Sequence, residues 1–383
     1  MSELRVAMIT GNYNSVIDGV AMATNRQTRA LLDAGEAVRV YAPVNDTPVI
    51  VPHAGDLVSI PSIPIVPPYR LALGLTKKGR DDLARFNPNL IHLATPDLLG
   101  FAAQEWARRR KIPIVTTFHT HFGSYLTYYR CGFLNPAYIR LSSWFYQRCD
   151  VTYVACQSMI DELKRTGIHA NFEVMPFGVD TNRFTPAKRS DAWRAARGIA
   201  ADEIVLLFVG RLVWEKGIDC FVKTSDWLTS RNVAHRVVVV GEGPAGPEFR
   251  KRLPRAEFLG RLMGDDLPTA FASSDIFFFP SASETFGLVS LEAIASGLPC
   301  VVAEATGSRD IVRHQQEGIL CPPEDYQAFG AAIERLIRDP QMRAGMAASG
   351  VERAQGFRWP IVMDKMVNAF RSVARSAGRT HSL

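Results

Sequence analysis

Residues 281–299 have the sequence Ser-Ala-Ser-Glu-Thr-Phe-Gly-Leu-Val-Ser-Leu-Glu-Ala-Ile-Ala-Ser-Gly-Leu-Pro and lie between two apolar runs, 275–280 and 300–303. The pattern predicts a strand–helix–strand unit. An apolar run of strand length is followed by a polar loop, a helix-length segment that ends at Gly297 and Pro299, and a second apolar run. Units of this kind build α/β folds with a parallel sheet.

The same stretch contains two carboxylates in different settings. Glu284 falls in the predicted loop, whereas Glu292 falls roughly two turns inside the predicted helix. Loops beyond the carboxyl ends of parallel strands bind ligands, and the first turn of a helix offers N–H groups to an anion. Glu292 has apolar neighbours, so its charge needs a ligand hydroxyl or an Arg as partner. A surface acid and a structural ion pair remain the alternative for the two residues.

Length and composition predict a large two-domain protein. The chain has 383 residues, of which 47% are hydrophobic. No apolar run approaches the roughly 18 residues of a membrane span, and the first residues do not resemble a signal peptide, so we expect a cytoplasmic protein. Six cysteines without a Cys-x-x-Cys pair argue against zinc ribbons and a disulfide framework. The net charge of +6 suits an anionic substrate, an anionic membrane surface or nucleic acid alike.

Apolar runs in the first half predict a doubly wound sheet. A glycine-bearing loop, Gly11 to Gly19, follows the first strand, where backbone can approach a ligand closely. From Pro176 to Asp202 no strand is expected, which indicates a domain boundary. The predicted strands of this half are 4–10, 37–42, 90–94, 114–118, 151–155 and 172–175.

A second alternation of strands and helices predicts a second, similar domain, and two such domains leave a cleft between facing strand ends. We expect domains at 1–182 and 183–357, followed by a C-terminal helix, 358–383, whose final fifteen or so residues are frayed. The predicted strands are 204–209, 235–240, 256–259, 276–279, 300–303 and 318–321.

Two cations follow the first strand of the second domain. Arg211 offers a bidentate fork to phosphate oxygens and Lys216 a point charge, which together suit a diphosphate without a metal. Pairing of Lys216 with a nearby carboxylate on a solvated face is equally compatible with the spacing. The segment from Gly241 to Gly246 matches the dinucleotide fingerprint, but Pro244 removes an N–H group that a phosphate cradle uses, so a tight loop is favoured.

His119 and His121 follow a first-domain strand, and one imidazole suits a hydrogen-bonding or acid–base group that faces the cleft. A polar loop or core histidine explains them equally well. The aromatic and basic stretch 122–146 is compatible with a bilayer interface, an apolar acceptor groove or core packing. The basic clusters 77–80 and 108–111 fit anionic lipid headgroups or solvated helix ends.

These segments add up to the motifs of one family, in the family's order. The motifs are Phe177-Gly-Val-Asp180, Gly210-Arg-Leu followed by Glu215-Lys-Gly217, Val240-Gly-Glu-Gly-Pro244, and Glu284-Thr-Phe-Gly-Leu followed by Glu292-Ala and Gly297-Leu-Pro299. The chain resembles the retaining GT-B glycosyltransferases of family 4 along nearly all its length. That resemblance implies two Rossmann-like doubly wound α/β domains that face each other across a cleft, a UDP- or GDP-sugar donor held mainly by the second domain, and an acceptor held mainly by the first.

The resemblance also implies roles for individual residues. Arg211 and Lys216 would stabilise the departing diphosphate, together with N–H groups of Phe286, Gly287 and Leu288 at a helix start. Glu292 would hold the ribose hydroxyls, Glu284 would face the transferred sugar, and His119 would contact the sugar and the reacting centre. Gly11 and Gly19 would bring the first-domain loop to the diphosphate, although this loop is less glycine-rich than is common in the family. No metal, no other cofactor and no nucleic-acid partner is implied.

Within the family, the run from Phe118 to Leu134 is similar to enzymes that glycosylate membrane lipids such as diacylglycerol. The expected enzyme is a hexosyltransferase that moves a hexose or hexuronic acid to a lipid hydroxyl with retention, peripheral on the inner face of the cell membrane. A soluble or polysaccharide acceptor is the alternative. A nucleotide-sugar epimerase or hydrolase, a catalytically silent GT-B subunit and an NAD-dependent dehydrogenase are the other classes considered.

Overall fold

The computed structural model describes residues 4–13, 19–43, 53–66, 69–119 and 135–379. They form two compact units, one of the residues up to Met175 together with those from Pro360 onward, the other of Pro176–Trp359. The chain therefore leaves the first unit at Met175 and re-enters it at Pro360. The limits expected from the sequence, 182/183 and 357/358, lie a few residues from these positions.

The first unit is built on a parallel sheet, seven-stranded within the described residues, with the order β3-β2-β1-β6-β7-β8-β9. A separate antiparallel pair, β4 with β5, belongs to the same unit. The strands are β1 (Arg5–Ile9), β2 (Ala37–Pro43), β3 (Asp56–Ile60), β4 (Ser62–Val66), β5 (Tyr69–Ala72), β6 (Leu90–Leu93), β7 (Ile114–Phe118), β8 (Val151–Val154) and β9 (Phe172–Val174).

The second unit repeats this plan with a parallel sheet whose described strands have the order β12-β11-β10-β13-β14-β15. Each sheet reverses its strand order once, between β1 and β6 in the first unit and between β10 and β13 in the second. Such switch points are where doubly wound sheets open a crevice for a ligand. The strands are β10 (Val205–Val209), β11 (Arg236–Val240), β12 (Glu257–Phe258), β13 (Ile276–Phe279), β14 (Cys300–Ala303) and β15 (Gly318–Cys321).

Helices connect the strands in both units. The first unit has α1 (Gly19–Asp33), α2 (Lys77–Phe86), α3 (Leu98–Arg109), α4 (Asn135–Tyr146) and α5 (Gln157–Arg165). The second has α6 (Asp191–Ala195), α7 (Ile218–Ser230), α8 (Gly246–Arg252), α9 (Asp266–Ala272), α10 (Leu288–Ala295), α11 (Ser308–Ile311), α12 (Tyr326–Arg338) and α13 (Pro340–Gln355), with 3₁₀ turns at Pro186–Lys188 and Trp214–Lys216. The last helix, α14 (Trp359–Arg379), returns to the first unit.

Helix α14 completes the core of the first unit. Its Met366, Val367 and Phe370 are buried in one apolar cluster with strand residues that include Val6 and Val40. The Phe370 ring lies 5.8 Å from that of Tyr153 on β8, stacked at 24°. Burial of large apolar side chains stabilises a fold by about 1.5–3 kcal/mol each, so this helix is an integral part of the first unit.

Phenylalanine rings form a cluster in the core of the second unit. Phe208 on β10 lies within 5.8 Å, centroid to centroid, of Phe221, Phe249 and Phe279, and two of these contacts are edge-to-face. Aromatic pairs in such geometries add about 0.5–1.5 kcal/mol beyond their burial. This core supports the strands β10 and β13, after which the predicted site residues follow.

The GT-B plan of two doubly wound parallel sheets is confirmed, whereas three details differ from expectation. Strand β3 and the β4–β5 hairpin are not predicted, because residues 53–72 mix prolines and polar residues with the apolar ones. Glu292 lies about one turn inside its helix rather than two, because α10 begins only at Leu288. The C-terminal helix runs to Arg379, so the expected fraying of the last fifteen residues is wrong for most of that segment.

Candidate functional site

Two loops of the second unit meet at the switch point of its sheet. Gly217, which ends the 3₁₀ turn after β10, has φ 74°, and a Cβ there would lie 2.4 Å from the carbonyl oxygen of Pro280 after β13. The hydroxyl of Ser283 donates to the carbonyl oxygen of Glu215 over 3.1 Å. The backbones of the two loops are thus in direct contact, which brings together residues that are about 70 positions apart in the sequence.

Lys216 and Glu284 form an ion pair across this contact. The Nζ of Lys216 lies 2.5 Å from Oε1 of Glu284, and the side chains are 19% and 14% exposed. The Ser281 hydroxyl lies 3.5 Å from the same carboxylate oxygen. Both charges are largely withdrawn from water, so loss of either would leave the other poorly compensated. The structure thus joins two residues that the resemblance assigns to the diphosphate and to the sugar.

Arg211 lies in the same loop, directly after Gly210, and its side chain is exposed. The loop is held by its neighbour after β11, because the Leu212 N–H donates to the carbonyl oxygen of Glu242 over 2.9 Å. A Cβ at Gly241 would lie 1.8 Å from the carbonyl oxygen of Gly210. Close packing of two loops therefore explains this glycine, in agreement with the tight-loop interpretation of Gly241 to Gly246.

The start of α10 lies in the same region. Gly287 precedes the helix in a left-handed conformation, φ 89°, and among the described residues no side chain caps it. Phe286 is buried and contacts Phe177 edge-to-face at 5.4 Å. Leu288 is exposed, and Glu292 is half-buried one turn later. N–H groups of an uncapped first turn are suited to an anion, and a glycine leaves them accessible.

In the first unit, the corresponding switch point brings Gly11 next to a polar cluster that the sequence analysis missed. The Gly11 N–H donates to Oγ1 of Thr95 over 2.9 Å, and the Thr95 hydroxyl donates to Oδ2 of Asp97 over 2.9 Å. Asp97 also accepts from the Gly100 N–H, 2.8 Å, at the start of α3. Burial raises the pKa of the Asp97 carboxyl, and these hydrogen bonds lower it in part. The only signal in the sequence is an Asp before an apolar helix-length run.

Gly11 and Gly19 offer a matched pair of substitutions. A Cβ at Gly11 would lie 2.3 Å from Oδ2 of Asp97, whereas a Cβ at Gly19 would meet no atom of the described residues within 4 Å. We expect Gly11→Ala to lower the free energy of unfolding by about 1–3 kcal/mol, as overpacking does, and Gly19→Ala to leave it nearly unchanged. Urea unfolding of both variants measures the difference. Equal stability of the two would contradict the close contact between Gly11 and Asp97.

His119 follows β7 at the same edge of the first sheet, and burial lowers the pKa of its imidazole to about 4. It is therefore neutral at physiological pH and suited to a hydrogen bond rather than to a charge. His92 on β6 is fully buried, with its Nε2 2.8 Å from the Thr117 hydroxyl. Burial, together with the nearby His119, lowers the pKa of His92 to about 3. The sequence does not single out His92, because it lies inside an apolar strand.

The buried His92 predicts acid sensitivity of the first unit. The folded state holds it neutral down to a pKa of about 3, whereas an unfolded histidine has a pKa near 6.5. The unfolded state binds more protons between these values, so stability is present above about pH 6.5 and falls as the pH decreases. At pH 5 the expected loss is roughly 2 kcal/mol. Urea titrations between pH 7 and pH 5 test it, and His92→Gln should show a shallower slope; parallel slopes would contradict the prediction.

The two units hold the predicted residues separately. Gly11, Gly19 and His119 belong to the first unit, and the remaining predicted residues belong to the second. His121 and most of the aromatic stretch lie outside the described residues. The described cysteines are all buried and unbridged. Among the described residues, His, Cys, Asp and Glu side chains form no cluster of three or more suited to a metal ion. Every helix within those ranges is too short or too polar to be a membrane-spanning segment.

Two doubly wound α/β units with polar loops at their switch points are the architecture of the GT-B fold. The model described as "Glycosyltransferase Family 4" matches residues 17–183, and that described as "Glycosyl transferases group 1" matches residues 189–353. The chain belongs to this family, the group 1 glycosyltransferases of family 4, and is a glycosyltransferase.

Curated relatives include enzymes with different sugars. The chain is 31% identical to a GDP-mannose-dependent alpha-mannosyltransferase of Mycolicibacterium smegmatis, over 97% of this chain and 98% of that protein. It is 29% identical to a protein of the same name from Corynebacterium glutamicum, over 97% and 89% of the two chains. An alpha-monoglucosyldiacylglycerol synthase of Streptococcus pneumoniae is 27% identical, over 88% and 80%. The sugar in the printed names thus varies among these relatives.

Solved structures share the fold. Sucrose-phosphate synthase from Thermosynechococcus elongatus superposes with a TM-score of 0.79 at 21% identity, covering 98% of this chain and all of that one. The Anabaena protein HepE in complex with UDP and glucose gives a TM-score of 0.73 at 19% identity, covering 97% of this chain and all of that one. At these identities the likeness concerns the fold alone.

Proposed function

We propose that the chain is a retaining hexosyltransferase that moves a hexose or hexuronic acid from a UDP- or GDP-sugar to a hydroxyl group of a membrane lipid. Diacylglycerol, ceramide and phosphatidylinositol are the acceptor types considered. We place the enzyme in the cytoplasm, peripheral on the inner face of the cell membrane.

The observation that carries glycosyl transfer is the Lys216–Glu284 pair at the switch point of the second sheet, with the exposed Arg211 in the same loop. A departing nucleoside diphosphate gains negative charge, which an ammonium and a guanidinium neutralise. Glu284 positions the ammonium of Lys216 and faces the transferred sugar.

The chemistry is a single exchange at the anomeric carbon. The bond from this carbon to the diphosphate oxygen breaks, a bond to the acceptor oxygen forms on the same face, and the hydroxyl proton passes to a phosphate oxygen of the leaving group. N–H groups of Phe286, Gly287 and Leu288 meet the developing charge as fixed dipoles. Glu292 holds the ribose hydroxyls, and the neutral His119 hydrogen-bonds the sugar.

The loop from Gly11 to Gly19 contacts the diphosphate from the first unit. In the first part of this loop, Thr95 and Asp97 hold the Gly11 backbone in place. We propose no metal and no other cofactor, since Arg211 and Lys216 supply the cationic charge that a metal supplies elsewhere. Transfer should therefore proceed unchanged in the presence of EDTA.

The donor and acceptor classes are supported by the relatives. The mannosyltransferases are named for GDP-mannose, and HepE is solved with UDP and glucose, so both nucleotides remain candidates. Mannose and glucose are both hexoses. The pneumococcal relative is named for a diacylglycerol product, which supports a lipid acceptor.

A donor-by-acceptor screen tests the proposal. The purified protein is incubated with UDP- and GDP-hexoses and hexuronic acids, together with each lipid acceptor in mixed micelles, and both nucleoside diphosphate and glycolipid are measured. We expect one donor to give both products in equal amounts, with the anomeric configuration of the donor kept in the glycolipid. Glycosylation of only soluble sugars or polysaccharides would refute the lipid acceptor, and release of diphosphate without any acceptor would indicate a hydrolase.

A further inference from the structure

The ring of Phe286 belongs to an aromatic cluster next to the start of α10. Phe286 is 3% exposed, Phe177 meets it edge-to-face at 5.4 Å between ring centroids, and Phe357 lies tilted to it at 6.4 Å. Aromatic pairs prefer such geometries at centroid distances of about 4.5–7 Å. Phe177 and Phe357 are only half-buried, so they contribute less to the core than the fully buried Phe208 does.

The two partner rings come from the segments by which the chain enters and leaves the second unit. Phe177 is the second residue of that unit, and Phe357 is the third from its end. These segments lie side by side, because the Val179 N–H donates to the carbonyl oxygen of Phe357 over 2.8 Å. A Cβ at Gly178 would lie 2.7 Å from the ring of Trp359. This pairing fixes the positions of Phe177 and Phe357 relative to each other.

Arg353 connects Phe357 to helix α11. Its guanidinium carbon lies 5.7 Å from the centroid of the Phe357 ring, and its Nε and Nη2 donate to two carbonyl oxygens of α11, each over 2.7 Å. Gly307 precedes this helix, and a Cβ there would lie 2.8 Å from the backbone nitrogen of Phe286. One set of contacts therefore holds both the ring and the backbone of Phe286.

Gly287 explains why the start of α10 needs such support. It follows Phe286 with φ 89° and has no side chain that could fix the turn. Glycine permits many backbone conformations, so the direction of the neighbouring N–H groups depends on what holds the flanking residues. Leu288, on the other side, is 40% exposed. The buried ring of Phe286 is therefore the stronger anchor of this turn.

We propose that Phe177 and Phe357 are positioning residues for donor binding. They hold the ring of Phe286, and through it they fix the N–H groups at the start of α10 in the direction in which these groups meet the diphosphate. N–H groups that already point to the developing charge stabilise it without reorganisation. The inference rests on the proposed function, from which it takes the position of the diphosphate. It assigns a role to two residues that act through a third.

Ordinary core packing is the alternative, and the two explanations differ in what a variant loses. If the rings only pack, Phe177→Leu and Phe357→Leu should lower stability and leave donor binding unchanged. If they position the N–H groups, each variant should bind UDP or GDP about tenfold more weakly and lose about 100-fold in kcat/KM. The larger part of this loss should be in kcat, because the charge on the diphosphate is greatest in the transition state. Isothermal titration calorimetry and steady-state kinetics measure the two effects.

Two matched variants separate positioning from packing. Phe177→Tyr keeps the ring and should restore most of the nucleotide affinity that Phe177→Leu loses. Phe184 also forms an edge-to-face pair in the second unit, with Phe271 at 5.6 Å, and it is 5% exposed. Phe184→Leu should therefore lower the urea midpoint at least as much as Phe177→Leu does, with nucleotide binding unchanged. Equal losses of affinity in Phe184→Leu and Phe177→Leu would overturn the inference.

Amide hydrogen exchange of the unchanged protein gives a second measurement that needs no variant. A bound diphosphate orders the turn before α10, so UDP or GDP should slow exchange of the Val179 amide, which donates to Phe357. The Arg231 amide, which donates to the carbonyl oxygen of Leu228 over 3.2 Å at the end of α7, should not respond. Equal slowing at both amides would indicate general stabilisation by the ligand and would overturn the inference, as would no slowing at Val179.

Nucleotide binding without an acceptor distinguishes failure of this inference from failure of the proposed function. A protein that binds neither UDP nor GDP would refute the proposed donor, and this inference with it. Nucleotide binding that depends on Phe177 and Phe357, with no glycolipid formed, would refute the proposed acceptor alone. Glycolipid formation that Phe177→Leu and Phe357→Leu leave intact would refute only the positioning role.

Discussion

Lys216→Ala is expected to lower kcat/KM for glycosyl transfer by about 1,000-fold, while the protein remains folded. The ammonium lies 2.5 Å from Glu284 in a largely buried pair, in the loop that also carries Arg211. Removing one preorganised group that stabilises charge in a transition state costs roughly 100- to 1,000-fold in rate. Glu284 also loses its ion-pair partner in this variant, which lowers kcat/KM further. Steady-state kinetics with the donor found in the screen measures it.

Lys223 supplies the matched control for this prediction. It also forms an ion pair with a carboxylate of its own unit, Asp219, at 2.6 Å, but both side chains are more than half exposed. Water and salt screen an exposed pair of this kind, so Lys223→Ala should leave both stability and kcat/KM nearly unchanged.

A double variant separates a catalytic from a structural role of the pair. If the pair only holds two loops together, Lys216→Met/Glu284→Gln, which removes both charges, should regain the stability and activity that Lys216→Met loses. If Lys216 neutralises the diphosphate, the double variant should stay inactive although its stability recovers. Full activity of either Lys216 variant would refute the assignment of this residue to the leaving group.

Arg194→Met should lower the free energy of unfolding of the second unit by about 3–5 kcal/mol, as expected when one partner of a buried ion pair is removed. The side chain is 3% exposed, and its guanidinium contacts Asp275 at 3.0 Å. It also donates to the carbonyl oxygens of Ser273, Ala200 and Glu203. A single side chain thus ties the segment before β10 to the segment before β13.

Arg189 is the control for Arg194, because it binds the other oxygen of the same carboxylate, at 3.2 Å, but is 41% exposed. Arg189→Met should cost at most about 1 kcal/mol. Urea unfolding of the two variants, followed by far-UV circular dichroism, gives the comparison. Losses of similar size would contradict the view that burial, rather than the ion pair itself, determines the effect.

Much of the fold follows from the sequence, because buried parallel strands are continuous apolar runs. Cys300–Ala303 and Ile276–Phe279 are examples in which the predicted strand and the observed one coincide. The hairpin could not be found in this way. Its prolines and exposed isoleucines break both the period and the burial on which strand prediction depends.

The sequence motifs point to individual residues of the candidate site, but they do not show which of these residues contact each other. The motifs point to Lys216 and Glu284 separately, whereas their ion pair depends on two loops that meet only when β10 and β13 lie side by side. Asp97 was missed although it caps α3 locally, because an N-cap by itself indicates only a structural role. Thr95 was missed because its hydrogen bond from the Gly11 N–H joins residues 84 positions apart. Sequence spacing carries no information about contacts of that kind.

The tight backbone packing of the loops at the carboxyl edge of the second sheet has a consequence for mutational scanning. Any side chain at Gly217 or Gly241 would collide with a carbonyl oxygen of the adjoining loop, at 2.4 Å or 1.8 Å. Both positions will therefore tolerate almost no substitution. In an activity scan, variants at Gly217 and Gly241 will be as inactive as variants at Lys216. Glycine carries no reactive group, so intolerance to substitution alone would misidentify Gly217 and Gly241 as catalytic residues. Protein abundance, measured in parallel with activity, distinguishes these steric positions from those that take part in the reaction.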